Sequence, residues 1–242
     1  MFSGSCATTL MVPPYSLTST LVSPPLLSPK TDLKLKHSVL GLLKNLVQSA
    51  EPSSAIQDAL SRSGMVCKLQ ESGVWNEKSD SMADIVQLNA IGVVRHLCSI
   101  DSTHSVYILL HLPLLTITIA VEHAFALTIS ASNSLSPSGL EQILALVRRT
   151  ESVPVKSEGT RVLVNVIRSL WAVEANNPPS QERQRNREIA TQLVLTQDSA
   201  DILATLLVCS GRYPVLTNEC ILALTLLSMH SYGSMCCYDS SR

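Results

Sequence analysis

The first 29 residues of this 242-residue chain contain no charged side chain. They are rich in Ser, Thr and Pro, and Pro13-Pro14 and Pro24-Pro25 interrupt every apolar run. A secretory signal needs a basic start and an unbroken apolar core, and a mitochondrial presequence needs arginines, so this stretch fits neither. Residues 1–33 read as a disordered Ser/Thr/Pro-rich tail. Aromatic residues are scarce at 4% and there are nine glycines, against 37 leucines and a hydrophobic fraction of 45%. Sheets draw on aromatic and β-branched residues and on glycine turns, so this balance favours helices. The net charge is −1. The basic footprint of a nucleic-acid binder is therefore missing, and no nucleic acid is expected as a partner.

Motifs that carry chemistry are missing as well. The seven cysteines (Cys6, Cys67, Cys98, Cys209, Cys220, Cys236, Cys237) form no C-x-x-C and no regular spacing. Their odd count reads as reduced thiols in an intracellular, cytoplasmic protein. Cys98, Cys209 and Cys220 fall on apolar helical faces and read as core thiols. Cys236-Cys237 near the end do not form a C-a-a-X terminus. The six histidines show neither H-x-x-x-H nor H-E-x-x-H spacing, and Glu122-His123 are adjacent rather than one helical turn apart. SGSC and SPSG lack the lysine and the strand context of a phosphate loop. The run from Gln181 to Glu188 mixes both signs and reads as a solvated helix face. No catalytic residue, cofactor or metal is expected, and the chain does not read as an enzyme.

The stretch from Val106 to Ile129 is mostly apolar, but His111, Pro113, Glu122 and His123 lie within it. Its longest charge-free run, from Val106 to Val121, is shorter than the roughly 20 residues of a membrane span. A Glu-His pair is also costly in lipid. No membrane span is expected.

What is present is a helix that returns. Its copies are KHSVLGLLKNLVQ from Lys36, QLNAIGVVRHLCS from Gln87, TRVLVNVIRSLWA from Thr160 and TNECILALTLLSM from Thr217. Aligned on Leu46, Leu97, Leu170 and Leu227, they are apolar three, four and seven residues earlier. These positions are Leu43, Leu42 and Val39; Val94, Val93 and Ala90; Ile167, Val166 and Leu163; and Leu224, Ala223 and Cys220. Such spacing lines one face of a helix, so the four leucines are expected to be buried between stacked helices.

The leucine-to-leucine intervals are 51, 73 and 57 residues, longer than the roughly 40–47 of an armadillo or HEAT unit. The polar loop Glu71–Ser81 accounts for the first excess, and the linker Ala175–Ser180 for the third. The middle surplus coincides with the apolar stretch, so residues 106–138 read as an insertion, either a loop or a translated intron kept in the gene model. Shorter helical patterns lie between the copies: Ser54–Arg62, Met65–Gln70, Leu140–Arg149, Arg183–Leu195 and Asp201–Val208. Pro154 and Pro214 sit just before a recurring helix, where proline is tolerated in a first turn and blocks fusion with the preceding helix. The fold expected is all-α, an armadillo-like right-handed solenoid interrupted by an irregular insertion. It has repeats over 34–105 and 139–229 and a second disordered tail over 230–242.

The phrases KHSVLGLLKNL, QLNAIGVVRHLCS and SEGTRVLVNVIRSLW look like third helices of armadillo repeats. With IQDALSRSGMV they resemble the small G-protein GDP dissociation stimulator family in its fungal forms. The resemblance covers Lys34–Ile100 and Gly139–Ser228. It implies a concave surface that grips Rho- or Rap-type small GTPases with basic, prenylated tails. Stimulated nucleotide release, chaperoning of the lipidated tail, or both would follow. Such family solenoids are longer than this chain.

On each copy the exposed ridge is expected one, five and nine residues before the aligned leucine. This gives Asn45, Gly41 and His37; His96, Gly92 and Leu88; Ser169, Asn165 and Arg161; and Leu226, Leu222 and Asn218. The polar members His37, Asn45, His96, Arg161, Asn165, Ser169 and Asn218 are the candidate partner-binding residues, since concave solenoid faces are the usual binding surfaces. Gly41 and Gly92 read as points where a ligand approaches the helix closely. A passive adaptor that binds a peptide or nuclear-import signal is the competing reading. Import adaptors carry a tryptophan-asparagine ladder on this ridge, however, and here only Asn45 occupies an asparagine position while Trp75 and Trp171 lie elsewhere.

Overall fold

The computed structural model describes residues 17–21, 23, 25–49, 60, 64–77, 81–99, 137–171 and 181–229, and among them every regular element is helical. The chain divides into two units, Met1–Ser105 and Val106–Arg242. The division falls at the start of the apolar stretch that interrupts the repeat spacing. That stretch, the Ser54–Arg62 pattern apart from Leu60, and the tail over 230–242 lie outside the described residues.

The first unit contains α1 (Leu17–Leu21), α2 (Leu33–Ser49), α3 (Met65–Glu71), a 3-10 turn over Val74–Asn76, and α4 (Ser81–Leu97). The first recurring copy lies on α2 and the second on α4, and these two helices form the main packing pair of the unit. They run parallel. Asn89 of α4 faces Gly41 of α2, and Gly92, further along α4, faces Lys44, further along α2. Almost every residue of α4 from Val86 to Leu97 is buried or half-buried, so α4 is the central helix.

Three features of this unit depart from the sequence expectations. The aligned Leu97 is buried, but its counterpart Leu46 is only half-buried, and Leu42 is 44% exposed. Instead, α2 buries Lys36, Val39, Leu40, Leu43 and Val47, a stripe turned by roughly 60° about the helix axis, at 100° per residue. The helix carries two overlapping apolar stripes, and packing selects between them. The polar loop Glu71–Ser81 is not simply polar: Val74 and Trp75 are buried. Gly73 enters the 3-10 turn at φ 69°, a left-handed conformation that glycine adopts without a Cβ penalty. Gln87 holds the turn, donating from Nε2 to the carbonyls of Val74 (3.2 Å) and Glu77 (3.2 Å). The Ser/Thr/Pro-rich segment is also structured over its described part. Beyond α1 it forms hydrogen-bonded turns, with Leu21 and Leu27 buried, because its few leucines have apolar surface to cover.

The second unit contains α5 (Gly139–Arg149), α6 (Val153–Trp171), α7 (Gln181–Val194), α8 (Gln197–Cys209) and α9 (Pro214–Ser228). Local chemistry sets the starts of these helices. Ser138 and Glu141 form a capping box: Ser138 Oγ accepts from the Glu141 amide (3.2 Å), and the Glu141 carboxylate accepts from the Ser138 amide (2.6 Å). Thr196 caps α8 through the Ser199 amide. Pro154 and Pro214 occupy first-turn positions of α6 and α9, where a missing N–H costs nothing. Copies three and four lie on α6 and α9, which pack on one another. The aligned Leu170 and Leu227 are buried, together with Leu163, Val166, Ile167, Cys220 and Ala223, while Leu224 is half-buried. Among the described residues no helix is long and apolar enough to cross a membrane.

Candidate protein-binding surface

The predicted ridge residues fall into two sets, one in each unit. In the first unit Asn45 is exposed on α2, and His37 and His96 are half-buried. His96 Nε2 lies 2.8 Å from Arg95 Nη2. The guanidinium can only donate, so this contact takes the imidazole with an unprotonated Nε2. Gly41 and Gly92 do not open the helices to a ligand. A Cβ on Gly92 would lie 3.0 Å from Lys44 Cδ and 3.3 Å from Lys44 Cε. The glycines instead let two parallel helices approach, and the Lys44 stem covers Gly92. Lys44, absent from the predicted set, is thus a central side chain of this surface, with Nζ 3.5 Å from Asn89 Oδ1.

In the second unit Asn218 is exposed, whereas Asn165 and Ser169 are half-buried and each already engages a neighbouring group. Arg161 is not a free contact residue. Its Nε donates to Glu219 (2.9 Å) and its Nη1 to Glu158 (3.0 Å), so it ties α6 to α9. Desolvation alone would lower the Arg161 pKa; Glu219 and then Glu158 outweigh it and hold the group above its ordinary value. Sequence reasoning missed this pairing because Glu219 lies in the next recurring helix. Around α8 and α9 the surface turns apolar: Val208, Tyr213, Val215, Ile221 and Met229 are exposed.

The cavity lined by Arg148, Lys156, Asp201, Ile202, Thr205 and Leu206 has a volume of about 90 Å³. Pockets for cofactors and metabolites are several times larger, roughly 300–1,000 Å³. Among the described residues no group of three or more His, Cys, Asp or Glu side chains could hold a metal ion.

The described thiols are poor nucleophiles in the folded protein. Burial pushes Cys98 up to about 12. Burial, helped by the Glu219 carboxylate, pushes Cys220 up to about 11. Cys67, half-buried, is raised by burial and then by Glu71. Because the thiolate is the reactive form, iodoacetamide is expected to alkylate Cys98 and Cys220 only once the chain is unfolded, and Cys67 slowly before that. Site-resolved mass spectrometry checks this, and rapid native labelling of Cys98 would contradict its burial. The stability effect has a definite sign. The neutral thiols fit the fold at any pH below their ordinary value of 9.0. Above it the unfolded chain ionises first, so this contribution is lost as the pH rises from about 9 towards 12.

No protein-family profile, curated protein or solved structure matches the chain.

Proposed function

We propose that this chain is a protein-binding module of armadillo type that acts on small GTPases in the cytoplasm. It would stimulate GDP release or chaperone the prenylated GTPase, without a covalent step. The observation that carries the protein-binding part is the pairwise packing of the recurring helices. α2 packs on α4 and α6 on α9, the first pair in parallel, as consecutive third helices of a repeat stack would. Each pair leaves a ridge with exposed polar residues (Asn45, Asn218) beside exposed apolar ones. The choice of GTPases rests on the resemblance of the recurring phrases to dissociation stimulators.

The test is the release of fluorescent GDP from purified Rho- and Rap-type GTPases with and without the full chain. Accelerated release is expected, and Asn45→Ala or Asn218→Ala should each reduce it by at most about fivefold, as for ordinary interface residues. Both side chains are exposed, so neither change should disturb folding. Arg161→Ala is unsuitable here, since it would also break two ion pairs within the second unit. Binding without acceleration would identify a passive adaptor, and absence of binding to any GTPase would remove the GTPase assignment.

A further inference from the structure

The carboxylates of the α2–α4 pair are confined to one end. Asp32, immediately before α2, and Asp84, in the first turn of α4, lie at the N-terminal end. Beyond that end neither helix carries a carboxylate; Lys34 and Lys36 share the N-terminal end with the aspartates, whereas Lys44 and Arg95 lie in the C-terminal halves. Because the helices run parallel, these halves are side by side. Lys36 adds nothing to this surface, since it is buried and paired with Glu77.

A helix dipole explains part of the arrangement. Arg95 is in the last turn of α4, where a cation offsets the partial negative charge of the terminal carbonyls. That field fades within one turn, and Lys44 lies more than a turn before the end of α2 at Ser49. Among the described residues Lys44 has no carboxylate partner. Its Nζ donates to the Asn89 side-chain oxygen at the long distance of 3.5 Å. Its stem, however, is held down across Gly92, so the ammonium is positioned and has already lost much of its rotamer freedom. Exposed Asn45 and Gln48 flank it on α2, and His96 lies one turn beyond Gly92 on α4, within the reach of i, i+4 neighbours.

We propose that this strip, centred on Lys44 and flanked by Asn45, Gln48 and His96, docks an acidic segment of a protein partner. The inference rests on the reading that the recurring helices bind protein, but not on the partner being a GTPase. A basic tail would meet like charge here, so such a partner must present carboxylates.

Fluorescence anisotropy of labelled hexaglutamate and hexalysine with the full chain tests this. Saturable binding of hexaglutamate alone is expected, weakening as salt is raised because the contacts are exposed to solvent. Lys44→Glu should lower the affinity roughly tenfold. Lys44→Met keeps the cover over Gly92 but removes the charge, so it should weaken binding while leaving the unfolding midpoint in place. Lys44→Arg should restore binding, and Lys156→Glu in the second unit should leave it unchanged. Equal binding of hexalysine, no binding of hexaglutamate, or unaltered binding by Lys44→Glu would each overturn the proposal. No GTPase is present in this assay, so its outcome and that of the GDP-release assay are independent.

Discussion

Replacing Glu77 by Ala is expected to destabilise the first unit by about 3 kcal/mol, at the lower end of the range for stripping one partner from a buried ion pair. The Lys36 side chain has no solvent exposure, and its Nζ donates to Glu77 Oε1 at 2.6 Å and to the Ser72 carbonyl at 3.3 Å. Without the carboxylate, a desolvated ammonium would keep only the neutral carbonyl. The lower end applies because Glu77 itself retains 26% exposure and water reaches it. Lys36→Met has nearly the same length and no charge. It is expected to be neutral or stabilising, and Glu77→Ala should then become cheap in the Lys36→Met background. Hydrogen exchange of the α2 and α4 amides, combined with urea unfolding, reads all three variants. Equal costs for Glu77→Ala in both backgrounds would mean that the pair contributes nothing, and that α2 is oriented by its leucines alone.

The second large effect is expected at Gly159. Here α6 passes so close to α5 that a Cβ would lie 2.3 Å from Val147 Cγ2, with Ile143 Cγ2 at 3.6 Å. Val147 and Ile143 are both buried, and a β-branched valine within a helix has one strongly preferred rotamer, so it cannot turn the methyl aside. Alanine in a helix interior normally gains about 1 kcal/mol over glycine. Overpacking of a tight core costs about 1–3 kcal/mol, and at this separation the helices must move apart, so Gly159→Ala should be destabilising. Adding Val147→Ala removes the offending methyl and should recover part of the loss. Gly211→Ala, where the new Cβ meets nothing within 4 Å, should stay within about 0.5 kcal/mol of the parent. Thermal unfolding of the four proteins decides the matter. A Gly159→Ala variant more stable than the parent would show that α5 and α6 are not in tight contact.

Much of what depends on near neighbours in the chain was legible beforehand, although the short helix Leu17–Leu21 and the 3-10 turn Val74–Asn76 were not. The period of 3.6 marked the four recurring helices and, among the described residues, the shorter ones α3, α5, α7 and α8, and Pro154 and Pro214 marked the starts of α6 and α9. Each of these signals acts within a turn or two of helix, so one strand of sequence carries it entire. What the tertiary structure decided depends on residues far apart in the chain. Leu42 and Leu46 lost the core to Leu40 and Val47 because α2 offers two overlapping apolar stripes and only its neighbours choose between them. Lys36 is buried because Glu77 comes to meet it, and Arg161 is paired with Glu219 of the next recurring helix. Gly92 faces Lys44 rather than a ligand, and Gly159 faces Val147. Periodicity tells which faces of a helix are apolar, but the rotation of that helix minimises a sum over contacts with other elements. Charge pairing follows the same rule, since an ion pair is worth forming only where packing has already removed the water.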